Sequence, residues 1–365
     1  MKKIAIVHDY LIDFGGAERV LLALHKIYPD APIYVSIYRQ NRLGKFADKF
    51  KNAKVIQSWF GYLPLADKLI SPLRFLIPAV WEGFDLTKYD LIISSASWAI
   101  TKGFNKGKSA VEICYCHTPP RYLYGYDTSR RFTGFIGKLV DIYSLIVNHF
   151  MLQYDFKQAQ RVDYFVANSE EVKKRIAKFY RRDSVVIYPP VEIPHNSENI
   201  SRKYFLAGGR LTAAKNFDLI IKVFNKLGLS LKIYGIGPLE KYLKKIAKGE
   251  VEFLGKVTDG EMAKLYAGAK AFILAQKDED FGMTAVEAMS FGTPVVAYKG
   301  GGYLESVVEG KTGLFFNELN SESLSSAVKK FEKVKFKSED CINQAKKFSK
   351  ERFMSEIKKF ISDKI

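Results

Sequence analysis

The 365-residue chain has only three cysteines, Cys114, Cys116 and Cys341. An odd, sparse count with C-x-C spacing gives neither a disulfide framework nor a zinc site, and it suits a reducing compartment. Acidic residues are also few beside basic ones: 39 Asp and Glu face 57 Lys and Arg, a formal net charge of +18. That balance favours an anionic partner such as a nucleotide, a nucleic acid or an anionic membrane surface; a basic surface kept for solubility reads the same way. No apolar run is long enough to cross a bilayer, and the best, Ile142 to Tyr154, is closed off by Asp141 and Asp155. The amino-terminal M-K-K-I-A-I-V-H-D-Y has a basic start, but His8, Asp9 and Asp13 interrupt the apolar core that a signal peptide needs. These absences predict a soluble, cytoplasmic chain that touches a membrane surface at most.

What is present is material for packed cores: 47% of residues are hydrophobic and 14% aromatic. The length calls for two domains rather than one. Short β-branched segments alternate with amphipathic helical stretches. In the first half, strands are expected at Ile4–Val7, Ile33–Ile37, Lys54–Gln57, Leu91–Ser94, Val111–Cys116, Tyr164–Ala167 and Val185–Tyr188. In the second half they are expected at Tyr204–Ala207, Leu231–Tyr234, Val251–Leu254, Ala271–Leu274, Val295–Ala297 and Gly313–Phe316, with helices such as Asp218–Leu227, Leu239–Ala247 and Glu261–Ala267 between them. Near-continuous apolar runs such as D-L-I-I-S-S mark strands buried on both faces of a parallel sheet. Pro189, Pro190, Pro194 and the polar H-N-S-E-N read as a linker. The predicted architecture is α/β, two doubly wound domains, with ligands beyond the carboxyl ends of the strands.

Residues just after strands are therefore the candidates. The loop D-F-G-G-A-E-R after the first strand lets the backbone approach a ligand at Gly15 and Gly16 and then opens a helix that favours an anion. It is not G-x-G-x-x-G, and a plain strand-to-helix turn would read alike. In F-L-A-G-G-R-L-T-A-A-K-N, Arg210 and Lys215 follow a strand and precede a helix, well placed to hold a diphosphate. The stretch D-E-D-F-G-M-T-A-V-E, residues 278–287, invites three readings: a metal-binding D-x-D, a kinase D-F-G, and a pair of sugar-binding carboxylates, Glu279 and Glu287. The kinase reading lacks its H-R-D and V-A-I-K partners. A metal is not needed where Arg210, Lys215 and a helix N-terminus already balance charge. Near misses to a phosphate loop fail as well: G-F-N-K-G-K-S, residues 103–109, is one residue short, and G-K-T at 310–312 has Glu305 where glycine is required. T-A-V-E at 284–287 also fits a capping box, which would give Glu287 a purely local role.

The combined pattern settles the preference. E-D-F-G-M-T-A-V-E-A-M-S-F-G-T-P-V-V-A at 279–297, G-G-R-L-T-A-A-K-N at 208–216, I-Y-G-I-G-P at 233–238 and the Gly15–Gly16 loop resemble retaining glycosyltransferase family 4, of GT-B fold. H-D-Y-L-x-x-x-G-G-A-E-R, Y-D-L-I-I-S-S, C-Y-C-H-T-P-P-R-Y and V-I-Y-P-P-V are similar to the mannosyltransferases that build bacterial O-antigen and exopolysaccharide from GDP-mannose. The resemblance implies a domain at 1–190, a nucleotide-sugar domain at 191–349, and a C-terminal helix near 350–365 returning to the first. It implies that Glu279 meets donor-sugar hydroxyls and Glu287 the ribose, while Arg210 and Lys215 neutralise the diphosphate. Backbone amides of Gly16 and of Gly282, Met283 and Thr284 would assist, with Gly15 and Phe281 beside them. Val257 would hold the base through its main chain, and His117 would bond to the donor sugar. No metal and no cofactor beyond the nucleotide sugar are expected. Retention would follow front-side attack, with the diphosphate taking the acceptor's proton; one preorganised donor at such a site is worth roughly 3–4 kcal/mol.

The acceptor is expected to be a glycan or a lipid-linked glycan. Residues 59–81 and 130–143 mix basic with aromatic and aliphatic side chains, as an interfacial surface on the inner face of the plasma membrane would, although ordinary helices explain much of the pattern. Two rivals stand beside this reading. A sugar-nucleotide epimerase of the same shape would isomerise its substrate without an acceptor. A nucleic-acid binder would exploit the charge, yet no RNA or DNA module is present and the basic residues are scattered, so no nucleic acid is expected.

Overall fold

The computed structural model describes residues 2–126, 134–194 and 201–365. The sequence stretches 130–133 and 195–199 singled out above lie outside them. Backbone contacts group the described residues into two compact units, one of residues 2–126, 134–190 and 350–365, the other of residues 191–194 and 201–349.

The first unit is built on a parallel sheet of seven strands: β1 Ile4–His8, β2 Ile33–Val35, β3 Val55–Gln57, β4 Leu91–Ala96, β5 Val111–Cys116, β6 Tyr164–Ala167 and β7 Ser184–Val186, in the order β3-β2-β1-β4-β5-β6-β7. The central β1 and β4 pair over five residues, Ile4 with Leu91 through His8 with Ser95. Every residue of β4 is buried, as a strand covered on both faces requires. The second unit repeats the plan with six strands: β8 Tyr204–Gly208, β9 Leu231–Tyr234, β10 Val251–Gly255, β11 Ala269–Leu274, β12 Val295–Tyr298 and β13 Gly313–Phe316, in the order β10-β9-β8-β11-β12-β13. In each sheet the strand order reverses at one place, β1 beside β4 and β8 beside β11. In open α/β sheets that switch point is where ligands bind. All thirteen expected strands are present, with ends differing by a residue or two.

Two helices complete the first unit. Gly134–Arg161 forms one 28-residue helix. Lys350–Ser362 forms the last helix, and its Phe353, Ile357 and Ile361 are buried in the same cluster as Leu21, Leu24 and Tyr115. The near-miss phosphate loop at 103–109 is tied down by its own surroundings. Glu112 accepts the amides of Gly103 (2.9 Å) and Phe104 (3.0 Å), while Lys102 is paired with Asp155 of the long helix. The three thiols are buried, and burial pushes Cys114 and Cys341 up to about 12, so both stay protonated.

Candidate active site

In the second unit, three loops that follow strands meet around one carboxylate. After β8, the chain makes a short turn at Ala213–Lys215 and reverses at Asn216, whose φ is +51. The Asn216 side-chain amide donates to the carbonyl of Ala275 at 2.8 Å, which pins this turn to the end of β11. Lys215 is thereby set 3.0 Å from Glu279 in the loop after β11. From the loop after β12, the Tyr303 hydroxyl donates to the same Glu279 oxygen at 3.1 Å. Glycine makes this convergence feasible. Gly282 has φ +84, and a Cβ there would meet the Tyr303 ring at 2.7 Å. A Cβ on Gly302 would come within 2.3 Å of the Phe281 backbone, where the Gly302 amide donates to the Glu279 carbonyl at 3.0 Å.

The helix Met283–Ser290 starts directly after Gly282. Thr284 therefore lies inside the helix, and the expected capping box with Glu287 does not form. Instead Glu287 accepts from the Tyr266 hydroxyl at 3.3 Å, and Tyr266 shares a hydrogen bond with Tyr234 at 2.9 Å. Glu287 is thus met by one buried phenol, which a second phenol braces. Val257 is half-buried in the turn before the helix Asp259–Ala267, which Thr258 and Glu261 cap reciprocally.

In the first unit, the carboxyl ends of β1, β4 and β5 bring a different set together. His117 Nε2 lies 2.8 Å from the Ser95 hydroxyl, and that hydroxyl lies 3.0 Å from His8 Nδ1. His8 Nε2 is 3.7 Å from a Glu18 oxygen, whose partner oxygen accepts the Gly15 amide at 2.8 Å. All four side chains are buried. Asp9 next door accepts the amides of Ser97, Trp98 and Ala99 at 2.6–3.3 Å, so it fastens the turn after β4.

The comparisons with known proteins follow the two units. Residues 14–194 match the model described as Glycosyltransferase Family 4, and residues 191–348 match that described as Glycosyl transferases group 1. The chain carries the two domains of a glycosyltransferase. A glycosyltransferase of Methanocaldococcus jannaschii is 27% identical over 191 residues, half of this chain and 54% of that protein. The O-antigen chain mannosyltransferase RfbU of Salmonella typhimurium is 29% identical over 197 residues, 51% of this chain and 54% of its own. The chain thus spans about half the length of these curated relatives. Among solved structures, Anabaena HepE in complex with UDP and glucose aligns over 99% of this chain and all of its own, with a TM-score of 0.70 and 20% identity. That likeness fixes the fold, which is GT-B.

Across the two units the sequence-derived candidates divide into groups. Glu279, Gly282, Met283, Thr284 and Glu287 lie in and after the loop following β11, and Lys215 meets Glu279 from the turn after β8. Phe281 is buried, with its ring 5.2 Å from that of Phe348, so only its backbone is available to a ligand. Arg210 is exposed and pairs with no acidic side chain among the described residues. Gly15 spends its amide on Glu18, so the loop's offer to an anion begins at Gly16. His117 stands at the end of β5 in the first unit. Tyr303, Asn216, Ser95 and the buried role of His8 escaped the sequence reading. The G-G-G-Y run after β12 and the K-N dipeptide before an apolar helix were the available signals for the first two.

Proposed function

We propose that the chain is a retaining, metal-independent hexosyltransferase that moves a sugar from a nucleotide donor to a glycan or lipid-linked glycan. The observation that carries this reading is the Lys215–Glu279–Tyr303 constellation at the second unit's switch point. Breaking a glycosyl–phosphate bond builds negative charge on the diphosphate and positive charge on the sugar ring. Lys215 and the exposed Arg210 supply cations for the first; Glu279, with lone pairs beyond those its partners use, accepts from sugar hydroxyls. Glu287, held by Tyr266, is offered to the ribose, and the Val257 main chain to the base. In the second unit the amides of Gly282 to Thr284 complete the anion site; in the first unit the amide of Gly16 is offered to an anion and His117 to a sugar hydroxyl. Retention is assigned to front-side attack, the departing diphosphate taking the acceptor's proton.

GDP-mannose is the donor we favour, with a UDP-sugar second. RfbU, a mannosyltransferase by description, supports the first; HepE, solved with UDP and glucose, keeps the second in play. A thermal-shift panel of GDP, UDP, ADP and their sugars tests this, because a ligand that binds the native state raises its melting temperature. GDP and GDP-mannose should give the largest shifts. A flat response to every nucleotide would overturn the reading.

The acceptor side is assigned to the first unit, in the cytoplasm at the inner face of the plasma membrane. No helix among the described residues is long and apolar enough to cross a membrane. Two exposed apolar surfaces support peripheral contact: Tyr62, Leu65 and Phe75 on one segment, and Leu139, Ile142, Leu145, Ile146 and Phe150 along the long helix. Flotation with anionic liposomes at low salt should carry the protein upward, and failure to float would remove the membrane from the proposal.

A further inference from the structure

The long helix of the first unit turns large apolar side chains to solvent, and the same face ends at a cavity of about 540 Å³. We infer that this cavity takes the phosphate headgroup of an anionic membrane lipid, whose chains lie along the exposed apolar row. The inference rests on the peripheral membrane contact proposed above and adds to it the place where a lipid's charge is held.

Helical periodicity joins the row to the cavity. Leu139, Ile142, Ile146, Phe150 and Lys157 follow one another at steps of three, four, four and seven residues, which sets them on one face of a helix. The four apolar members are each more than half exposed, and Leu145 beside them is 77% exposed. At roughly 1.5 Å per residue this face runs about 27 Å from Leu139 to Lys157. Lys157 lines the cavity together with Lys178 and Arg181, from the last turn and the cap of the helix Glu170–Tyr180.

The lining supplies both halves of an amphiphile's partner. The Tyr124 and Phe179 rings stack with centroids 4.2 Å apart, and the Lys178 ammonium lies 5.2 Å from the Phe179 centroid. No acidic side chain lines the cavity. Asp155, which accepts the Tyr124 hydroxyl at 2.7 Å, is paired with Lys102 instead. Lys157, Lys178 and Arg181 form no ion pair among the described residues. Ammonium and guanidinium groups beside an apolar wall match a phosphate that carries acyl chains. A helix C-terminus favours cations by itself, which accounts for Lys178 and Arg181; Lys157 comes from a turn earlier in a second helix yet lines the same cavity. A second copy of this chain, itself at +18, would bring like charge to the site. These cations lie near the ends of helices that run back to the amino ends of β6 and β7, whereas His117 follows the carboxyl end of β5. The cavity is therefore apart from the sugar-side candidates.

The test is partitioning of the full chain onto vesicles of phosphatidylcholine with about one part in four phosphatidylglycerol, and onto phosphatidylcholine alone. Salt is held at about 0.15 M, where diffuse attraction is screened beyond roughly 8 Å. The wild type should prefer the anionic vesicles. The triple variant Lys157→Gln, Lys178→Gln, Arg181→Gln should bind them about 100-fold more weakly, roughly fivefold per cation, with its melting temperature kept. Removing the same charge from exposed lysines of the second unit, by Lys329→Gln, Lys330→Gln and Lys333→Gln, should change binding less than about twofold. Equal binding to both vesicles, wild-type binding by the first triple variant, or an equal loss in the second would each sink the headgroup site and leave peripheral contact standing. No binding to either vesicle removes both. A thermal shift with inorganic phosphate alone, absent from the first triple variant, would make this a free-phosphate site and end the lipid assignment. So would a dimer in sedimentation runs without lipid that Phe150→Ser abolishes, because the row would then belong to a second copy.

Discussion

The molecule holds two lysine–carboxylate pairs in opposite surroundings. Lys102 and Asp155 in the first unit are 2% and 0% exposed; the Tyr124 hydroxyl takes the second Asp155 oxygen at 2.7 Å, and the Tyr180 ring lies 4.8 Å from the ammonium. Lys215 and Glu279 in the second unit are 25% and 14% exposed and sit on loops at a strand-order reversal. The first pair is closed on all sides and joins the segment after β4 to the long helix. The second keeps lone pairs and one face of the ammonium open. Identical chemistry is architecture in one place and, as we propose, a ligand site in the other, and what separates them is access.

The largest effect should come from breaking the closed pair. Asp155→Ala leaves an ammonium buried without its counter-charge, and removal of one partner from such a pair costs about 3–5 kcal/mol. Urea denaturation followed by circular dichroism should show this loss, and a change under about 1 kcal/mol would erase the distinction between the two pairs. Next comes the open pair. Lys215→Ala and Arg210→Ala should each cut turnover by about 100-fold or more, as loss of a preorganised charge at a departing anion does, with stability nearly kept. Wild-type turnover in either variant would remove the diphosphate clamp.

A smaller loss is expected from Gly282→Ala. Its positive φ and the Tyr303 ring at 2.7 Å leave no room for a methyl group, so the loop must move, at a cost of about 1–3 kcal/mol. Donor affinity by calorimetry should weaken, and unchanged affinity would show that the loop's shape is not what holds Glu279. The smallest effect sharpens the contrast within the first unit. Burial pushes the Glu112 carboxyl up to about 7, against the pull of its two amide partners. The folded chain therefore holds a proton that the unfolded chain releases, and stability falls as pH rises from the ordinary carboxylate range through 7. Melting temperatures of wild type and Glu112→Gln should diverge over that window, and a constant difference would rule out this titration.

The strands were legible because residues buried on both faces leave unbroken apolar runs, as at Leu91–Ile93 and Val295–Ala297. The long helix at 134–161 was harder to read, since it mixes apolar and polar residues around its circumference and so lacks the stripe that marks an amphipathic helix. Arg210, Lys215 and Glu279 could be found because they lie in loops after strands, and Glu287, inside its helix, only because the motif around it resembles a known family. Tyr303 and Asn216 could not, because their roles depend on contacts across 24 and 59 residues of sequence. His8 and Ser95 look like ordinary strand residues, and only the pairing of β1 with β4 makes them neighbours.

The return of the last helix to the first sheet has a further consequence, for biosynthesis. Phe353, Ile357 and Ile361 complete a core whose other members emerge from the ribosome more than 150 residues earlier than they do. The second unit is contiguous in sequence from residue 191 to 349 and has all of its strands in hand before translation reaches that helix. The half that is made first is therefore the half that is finished last, and until then the apolar face of its opening helix waits for a cover that has yet to be synthesised.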